Sequence, residues 1–190
     1  MSDHPLAPLT ALARDTPAVE KIGGITITEN PELAIASLAV RHGRELDLQT
    51  HLTPVLGEDL PGPGRAAFLE DTAAIWTGIG QWFLMSPLAK HPDYACDLNY
   101  IVKDTASVTE QTDGWVIFDV FGNSLCPLLE RICNLNVNAM SDGDATRCLI
   151  EHLGCLIICR ESGRNISILG PRSSAASLHH ILVTAAKSVA

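Results

Sequence analysis

Apolar residues along this chain fall into short alternating or continuous runs more often than into helical stripes, so strands should outnumber helices. The densest run, residues 73–87, reads Ala-Ala-Ile-Trp-Thr-Gly-Ile-Gly-Gln-Trp-Phe-Leu-Met-Ser-Pro. It predicts two strands folded back around Gly78 and Gly80, because glycine takes positive φ without a Cβ clash. Ile75, Trp76, Trp82, Phe83, Leu84 and Met85 supply strand-favouring or bulky apolar side chains. Ser86 and Pro87 then predict the start of a helix reaching toward Val102, since both residues suit a helix entry with unpaired N–H groups.

The same reading places strands at residues 25–28 and 33–41. A helix follows over 44–56, with Leu46, Leu52, Val55 and Leu56 near one face, Pro54 late in it and Gly57 as its stop. Residues 107–112 and 115–121 read as strands joined by Asp113-Gly114 in a type I′ turn. The second of these is apolar on both faces except for Asp119 and should be a central strand. Asn123 or Ser124 caps a helix that buries Leu125, Leu128, Leu129, Ile132 and Cys133. Residues 134–143 read as a loop. Strands at 146–153 and 155–160 turn at Gly154, and 165–169 form another. Gly170-Pro-Arg-Ser173 leads into a last helix with Leu178, Ile181, Leu182, Ala185 and Val189 on one side.

The expected class is α+β, with mostly antiparallel sheets and two strand-helix-strand-strand-helix halves, about 25–102 and 107–190. Residues 22–190 form one domain in this reading. Residues 1–21, interrupted by Pro5, Pro8 and Pro17, form a flexible arm.

Composition narrows the function classes. The 190 residues suffice for a sizeable core. The charged share of 18% lies below the roughly 25% usual for soluble domains, a hint of surface covered by a partner. A net charge of −9, with no stripe among the thirteen basic residues, argues against nucleic acid. No apolar run approaches the ~20 residues of a membrane helix, and no secretion signal opens the chain, which predicts a cytoplasmic protein.

Candidate chemistry is sparse. The six cysteines contain no C-x-x-C pair, and most sit among Leu and Ile as small hydrophobes. His152, Cys155 and Cys159 make a poor zinc set, since on a strand the histidine faces away from the two cysteines. Asp142-Gly-Asp144 lacks the rest of a calcium loop. His91-Pro92-Asp93 matches a J-domain tripeptide without its flanking basic helix, and Asn165-Ile-Ser167 is a sequon without a route to secretion. Ser173, His179 and His180 lack an orienting carboxylate. No Gly-rich phosphate loop follows a strand.

Three stretches carry a family resemblance: Ala74-Ile-Trp-Thr-Gly-Ile-Gly-Gln-Trp82, Val108-Thr-Glu-Gln-Thr-Asp-Gly-Trp115 and Pro171-Arg-Ser173. Together they are similar to the gamma subunit of heterotetrameric sarcosine oxidase, from about Ile25 onward. Ile79, Thr112 and Glu110 replace the family's usual proline, serine and aspartate, departures that touch turn chemistry.

The resemblance implies a fold like the folate-binding domain of glycine-cleavage aminomethyltransferases, in a complex that oxidatively demethylates sarcosine to glycine. Within that family the alpha subunit carries NAD and the tetrahydrofolate site, the beta subunit FAD and FMN, and the delta subunit zinc. The gamma chain is credited with no cofactor or catalytic residue, and its partners are the alpha, beta and delta subunits, alpha most directly. A subunit of a related N-methyl amino-acid dehydrogenase complex, or a free-standing aminomethyltransferase-like protein, shares the expectation of fold. Ile79, at the tip of a glycine-flanked apolar turn, is the candidate subunit-interface residue.

Overall fold

The computed structural model describes residues 8–69 and 71–190. In chain order the elements are β1 (Val19–Ile22), β2 (Ile25–Glu29), β3 (Leu33–Val40), α1 (Glu45–Leu56), β4 (Ala66–Phe68), β5 (Ala73–Gly78), β6 (Gln81–Pro87), α2 (Tyr94–Val102) and β7 (Ala106–Glu110). The second half follows with β8 (Trp115–Gly122), α3 (Leu125–Leu129), β9 (Ala145–Ile150), β10 (Leu153–Glu161), β11 (Asn165–Pro171) and α4 (Ala175–Val189). One sheet runs β1-β2-β8-β11-β10-β9 and the other β4-β5-β6-β3-β7, every pairing antiparallel. Among the described residues no helix is long and apolar enough to cross a membrane.

Period-two alternation assigns each strand residue to a layer. On β8, Val116, Phe118 and Val120 pack toward α3 and α4, while Trp115 and Ile117 face the other sheet. Strand β10 divides likewise into Cys155, Ile157 and Cys159 against Leu156 and Ile158. In the other sheet Ala34, Ala36 and Leu38 meet α1 and α2, while Ile35, Phe83 and Met85 face inward. Four layers result, with one helix pair outside each sheet and a shared apolar seam between the sheets. The expected α+β class with antiparallel sheets is the observed one.

The halves exchange a strand. Strand β2 leads directly into β3 yet pairs with β8 of the other sheet, and β7 leads directly into β8 yet pairs with β3. Asp113-Gly114 therefore makes no hairpin. Residues 112–114 form a short 3-10 turn that carries the chain from one sheet to the other. Two bonds hold β7 to β3 at that point, Gln111 N–H to the Ile35 carbonyl at 2.8 Å and Ile35 N–H to Thr112 Oγ1 at 3.0 Å.

Several local expectations shift, each for an identifiable reason. Ser86 and Pro87 end β6 and open no helix. Ser86 is 2% exposed and opposite Ala34, Pro87 is opposite Leu33, and α2 begins only at Tyr94. Helix α1 buries Leu48, Leu52 and Leu56 at a spacing of four, leaving Leu46 and Val55 exposed. Gly57 closes it at φ 76°, its N–H bonding the Thr53 carbonyl at 2.8 Å.

Helix α3 stops at Leu129 and does not reach Cys133 as one helix. The Ile132 carbonyl turns aside to accept the Glu151 N–H at 3.1 Å. The β9–β10 turn lies at Glu151-His152, with Ile150 opposite Leu153, so Gly154 is a strand residue opposite Leu149. That register leaves the two polar residues in water, at positive φ for Glu151. Residues 19–21 of the stretch expected as an arm lie in β1 and pair with β2. Residues 1–7 of that arm lie outside the described residues.

Side chains also tie the two sheets laterally. Arg65 and Asp144 form a salt bridge, with backbone bonds from Ala66 N to Gly143 O at 2.7 Å and Ala145 N to Gly64 O at 2.8 Å beside it. Arg160 of β10 lies 4.0 Å from the ring centre of Phe68 in β4. The Ser141 N–H and then Arg65 hold the Asp144 carboxyl below its usual range.

A carboxyl lowered in the folded state contributes stability that is present above its unfolded pKa and lost as pH falls through the folded value. Acid titration of unfolding should therefore show a wild-type stability loss below about pH 4 that Asp144→Asn lacks, with the two proteins converging at the acid end. Parallel pH profiles would contradict this assignment.

A second expectation concerns the strand exchange. Gly122 sits at φ 147°, and a Cβ there would fall 2.1 Å from the Gly24 carbonyl oxygen. Gly122→Ala should lower unfolding stability by about 2–4 kcal/mol in urea titration. Gly62→Ala, where a Cβ meets nothing within 4 Å, should be nearly silent.

Candidate functional site

The exchange brings two connections past each other: residues 30–32 between β2 and β3, and residues 111–114 between β7 and β8. Beside them lies a cavity of about 330 Å³ walled by Glu29, Asn30, Ile35, Thr112, Trp115 and Arg172, with residues 8–11 along one side. The volume is at the low end of small-molecule sites.

Several polar groups around it have internal partners. Glu29 is 2% exposed, and its oxygens accept the Leu12 and Ala18 N–H groups, each at 3.1 Å. Asn30 Nδ2 donates to Asp119 Oδ2 at 2.8 Å, and Ser167 Oγ donates to Asp119 Oδ1 at 2.5 Å. Thr112 bonds the Glu110 carboxylate. Arg172 donates to the Leu9 carbonyl at 3.1 Å and lies 3.7 Å from Asp113. These groups fasten strands and the N-terminal segment; none forms a nucleophile-base pair. Sequence reading missed the cavity. Asp119, noted as the polar exception in its strand, marks the bonds that fix Asn30 and Ser167.

Ile79 is 95% exposed at the tip of the β5–β6 hairpin. The hairpin beneath it is well anchored. Gly80 takes φ 67°, its carbonyl accepts the Val40 N–H at 2.9 Å, and Trp82 Nε1 donates to the Pro61 carbonyl at 2.8 Å. Arg147 of β9 donates to the Thr77 carbonyl at 3.3 Å. The cavity begins beyond the other end of β6, at Leu88. Seven residues of strand put roughly 20 Å between tip and cavity, so the two are separate features.

The weaker candidates serve structure. His152 occupies a turn, whereas Cys155 and Cys159 are buried beneath the helices. Among the described residues no group of ligands could hold a metal ion. Asp142 accepts the Ser162 N–H and Asp144 the Ser141 N–H, each at 2.7 Å. His179 packs on Phe118 with ring centres 5.7 Å apart and reaches toward Glu20 at 3.7 Å. Burial pushes its pKa down, against the opposing pull of Glu20.

Removing the Glu29 carboxylate would strand two backbone donors, at about 1–3 kcal/mol for each that stays buried. Glu29→Ala should lower the melting temperature and accelerate amide exchange at Leu12 and Ala18, while Glu32→Ala leaves both unchanged. Unaltered exchange at those amides would show that the carboxylate does not hold the segment.

No protein-family model matches the chain, and no curated protein sequence matches it. Among solved structures, a chain of heterotetrameric sarcosine oxidase from Corynebacterium sp. U-96, in complex with pyrrole 2-carboxylate, is similar at TM-score 0.77 and 16% identity. That similarity covers 90% of this chain and 88% of the other. Glycine cleavage system aminomethyltransferase T from Bartonella henselae is similar at TM-score 0.63 and 13% identity, over 82% of this chain and 44% of the enzyme. At such identities the likeness is one of fold: this chain has the architecture shared by a sarcosine oxidase chain and aminomethyltransferase T.

Proposed function

We propose that this chain is the gamma-type subunit of a sarcosine oxidase complex that oxidatively demethylates sarcosine to glycine. The observation that carries this reading is the reciprocity of coverage. The sarcosine oxidase chain is matched over 88% of its length, whereas aminomethyltransferase T is matched over 44%.

In this proposal the chain contributes no catalytic group. FAD, FMN, NAD, zinc and tetrahydrofolate belong to the other subunits, and this one holds the alpha subunit in the assembly. A complex oxidising a different N-methyl amino acid is the nearest alternative. The internal partners of Glu29, Asn30, Thr112 and Arg172 support a structural role.

Ile79 is the proposed anchor. An apolar side chain 95% exposed on a rigid tip can be buried by a partner without reorganising its own fold. Co-expression with candidate alpha, beta and delta subunits should yield one complex by affinity capture and size exclusion. Ile79→Asp should keep the free chain's melting temperature but weaken capture of the alpha subunit by at least about 100-fold, roughly 3 kcal/mol, as expected for an unpaired carboxylate in an apolar contact. Full assembly of the variant would remove Ile79 from the interface. Recovery of the wild type only as a lone monomer would overturn the subunit reading.

A further inference from the structure

Four strands lie at sheet edges, β1 and β9 in one sheet, β4 and β7 in the other. Edges are commonly guarded by charge, proline, a bulge or shortness, because their outward N–H and C=O groups otherwise pair with another chain. Strand β4 has three residues, β1 carries Glu20 and Lys21, and β7 ends on Glu110. Strand β9 lacks these devices. It pairs with β10 over six consecutive positions without a bulge. It holds no proline, and its single charge, on Arg147, is committed to the Thr77 carbonyl of the other sheet.

The outward groups of β9 can be assigned. The Ala145 N–H points away from β10, to the Gly64 carbonyl at 2.8 Å. Antiparallel alternation then turns the N–H and C=O groups of Arg147 and Leu149 outward as well, and those of Thr146, Cys148 and Ile150 toward β10. Among the described residues no strand lies beyond this edge. The Leu149 side chain is 61% exposed. Counting from the Arg147–Thr77 bond, Leu149 lies two residues on along β9 and Ile79 two residues on past β5, so the edge continues onto the hairpin tip.

We propose that the outer edge of β9 is a strand-pairing site for an extended apolar segment of the alpha-type subunit, laid along residues 147–149 and on toward Ile79. The inference rests on the subunit reading above and supplies its binding mode. Main-chain bonds to Arg147 and Leu149 set the register of the added strand, while Leu149 and Ile79 meet its apolar side chains. Continuity with the Ile79 contact selects that subunit over a second copy of this chain.

The test is amide hydrogen exchange, resolved to single residues, on the full chain alone and in the co-purified complex. In the free chain Thr146, Cys148 and Ile150 should be protected by the β10 ladder, while Arg147 and Leu149 exchange fast. In the complex Arg147 and Leu149 should slow by at least about 10-fold. Leu149→Lys, which places a guarding charge on the edge, should keep the free chain's melting temperature and weaken capture of the alpha subunit by at least about 10-fold, whereas Leu46→Lys on the exposed side of α1 leaves capture unchanged. Should Leu149→Lys lower the melting temperature, the wild-type amides decide. A complex that forms while Arg147 and Leu149 stay fast, or that captures Leu149→Lys normally at an unchanged melting temperature, overturns the strand-pairing site and leaves the subunit reading standing. Protection of the same two amides in a dimer of the chain alone gives the edge to a second copy and overturns it too. A chain recovered only as a lone monomer overturns both.

Discussion

The apolar seam between the two sheets is the constraint on which the rest of this structure depends. Strands β3, β6, β8, β10 and β11 carry apolar side chains on both faces, so neither sheet can be satisfied by its helices alone. Burying one face under a helix pair leaves Ile35, Phe83 and Met85 on one sheet, and Ile117, Leu156, Ile158 and Leu169 on the other, in need of cover. Each sheet supplies the apolar surface that covers the other. Exchange of β2 and β7 makes the union topological as well. Neither half can complete its sheet without a strand contributed from the other half's stretch of sequence.

Polar groups at the crossing points follow from the same constraint. Where the chain passes from one sheet to the other, backbone groups leave one ladder before they enter the next and require local partners. Asp119 gathers Asn30 and Ser167, so β2, β8 and β11 are pinned at the depth where the connection leaves. Thr112 does the same for β3 at the other connection. Glu29 extends the pattern outward by holding the N-terminal segment through two backbone donors. The cavity is the space left between these fixed crossings, and Glu29, Asn30 and Thr112 of its lining help to hold them.

How far the sequence revealed this structure depends on how local each signal was. Strand alternation and the β5–β6 hairpin were readable because the signal lies within a few residues: Trp76 does pair with Trp82, and the glycines do form the turn. Asp113-Gly114 was misleading because the same dipeptide suits a hairpin or a change of sheet. The choice between them was made by Ile35, 77 residues from Thr112. Ser86-Pro87 failed likewise, since a serine that could cap a helix was taken into a ladder by Ala34. The cavity could not be read because its walls come from five separate stretches. Ile79 was visible as a tip residue, but its exposure was not, because that depends on Val40 and Arg147 fixing the hairpin beneath it.

Separation between tip and cavity bears on what such a chain can contribute to an assembly. Chemistry requires polar groups whose protons or lone pairs are free for a substrate, and around the cavity Glu29, Asn30, Thr112 and Asp119 have already committed theirs internally. Association requires apolar area that is exposed on a rigid support, which is what Ile79 has: its loop is braced by a backbone bond to Val40 and a side-chain bond from Arg147. A rigid tip loses little conformational freedom on docking, so more of the apolar gain is retained as affinity. The same four-layer architecture presents the exposed Ile79 at the end of β6 away from the cavity. Both arrangements are consequences of one sheet packing against another.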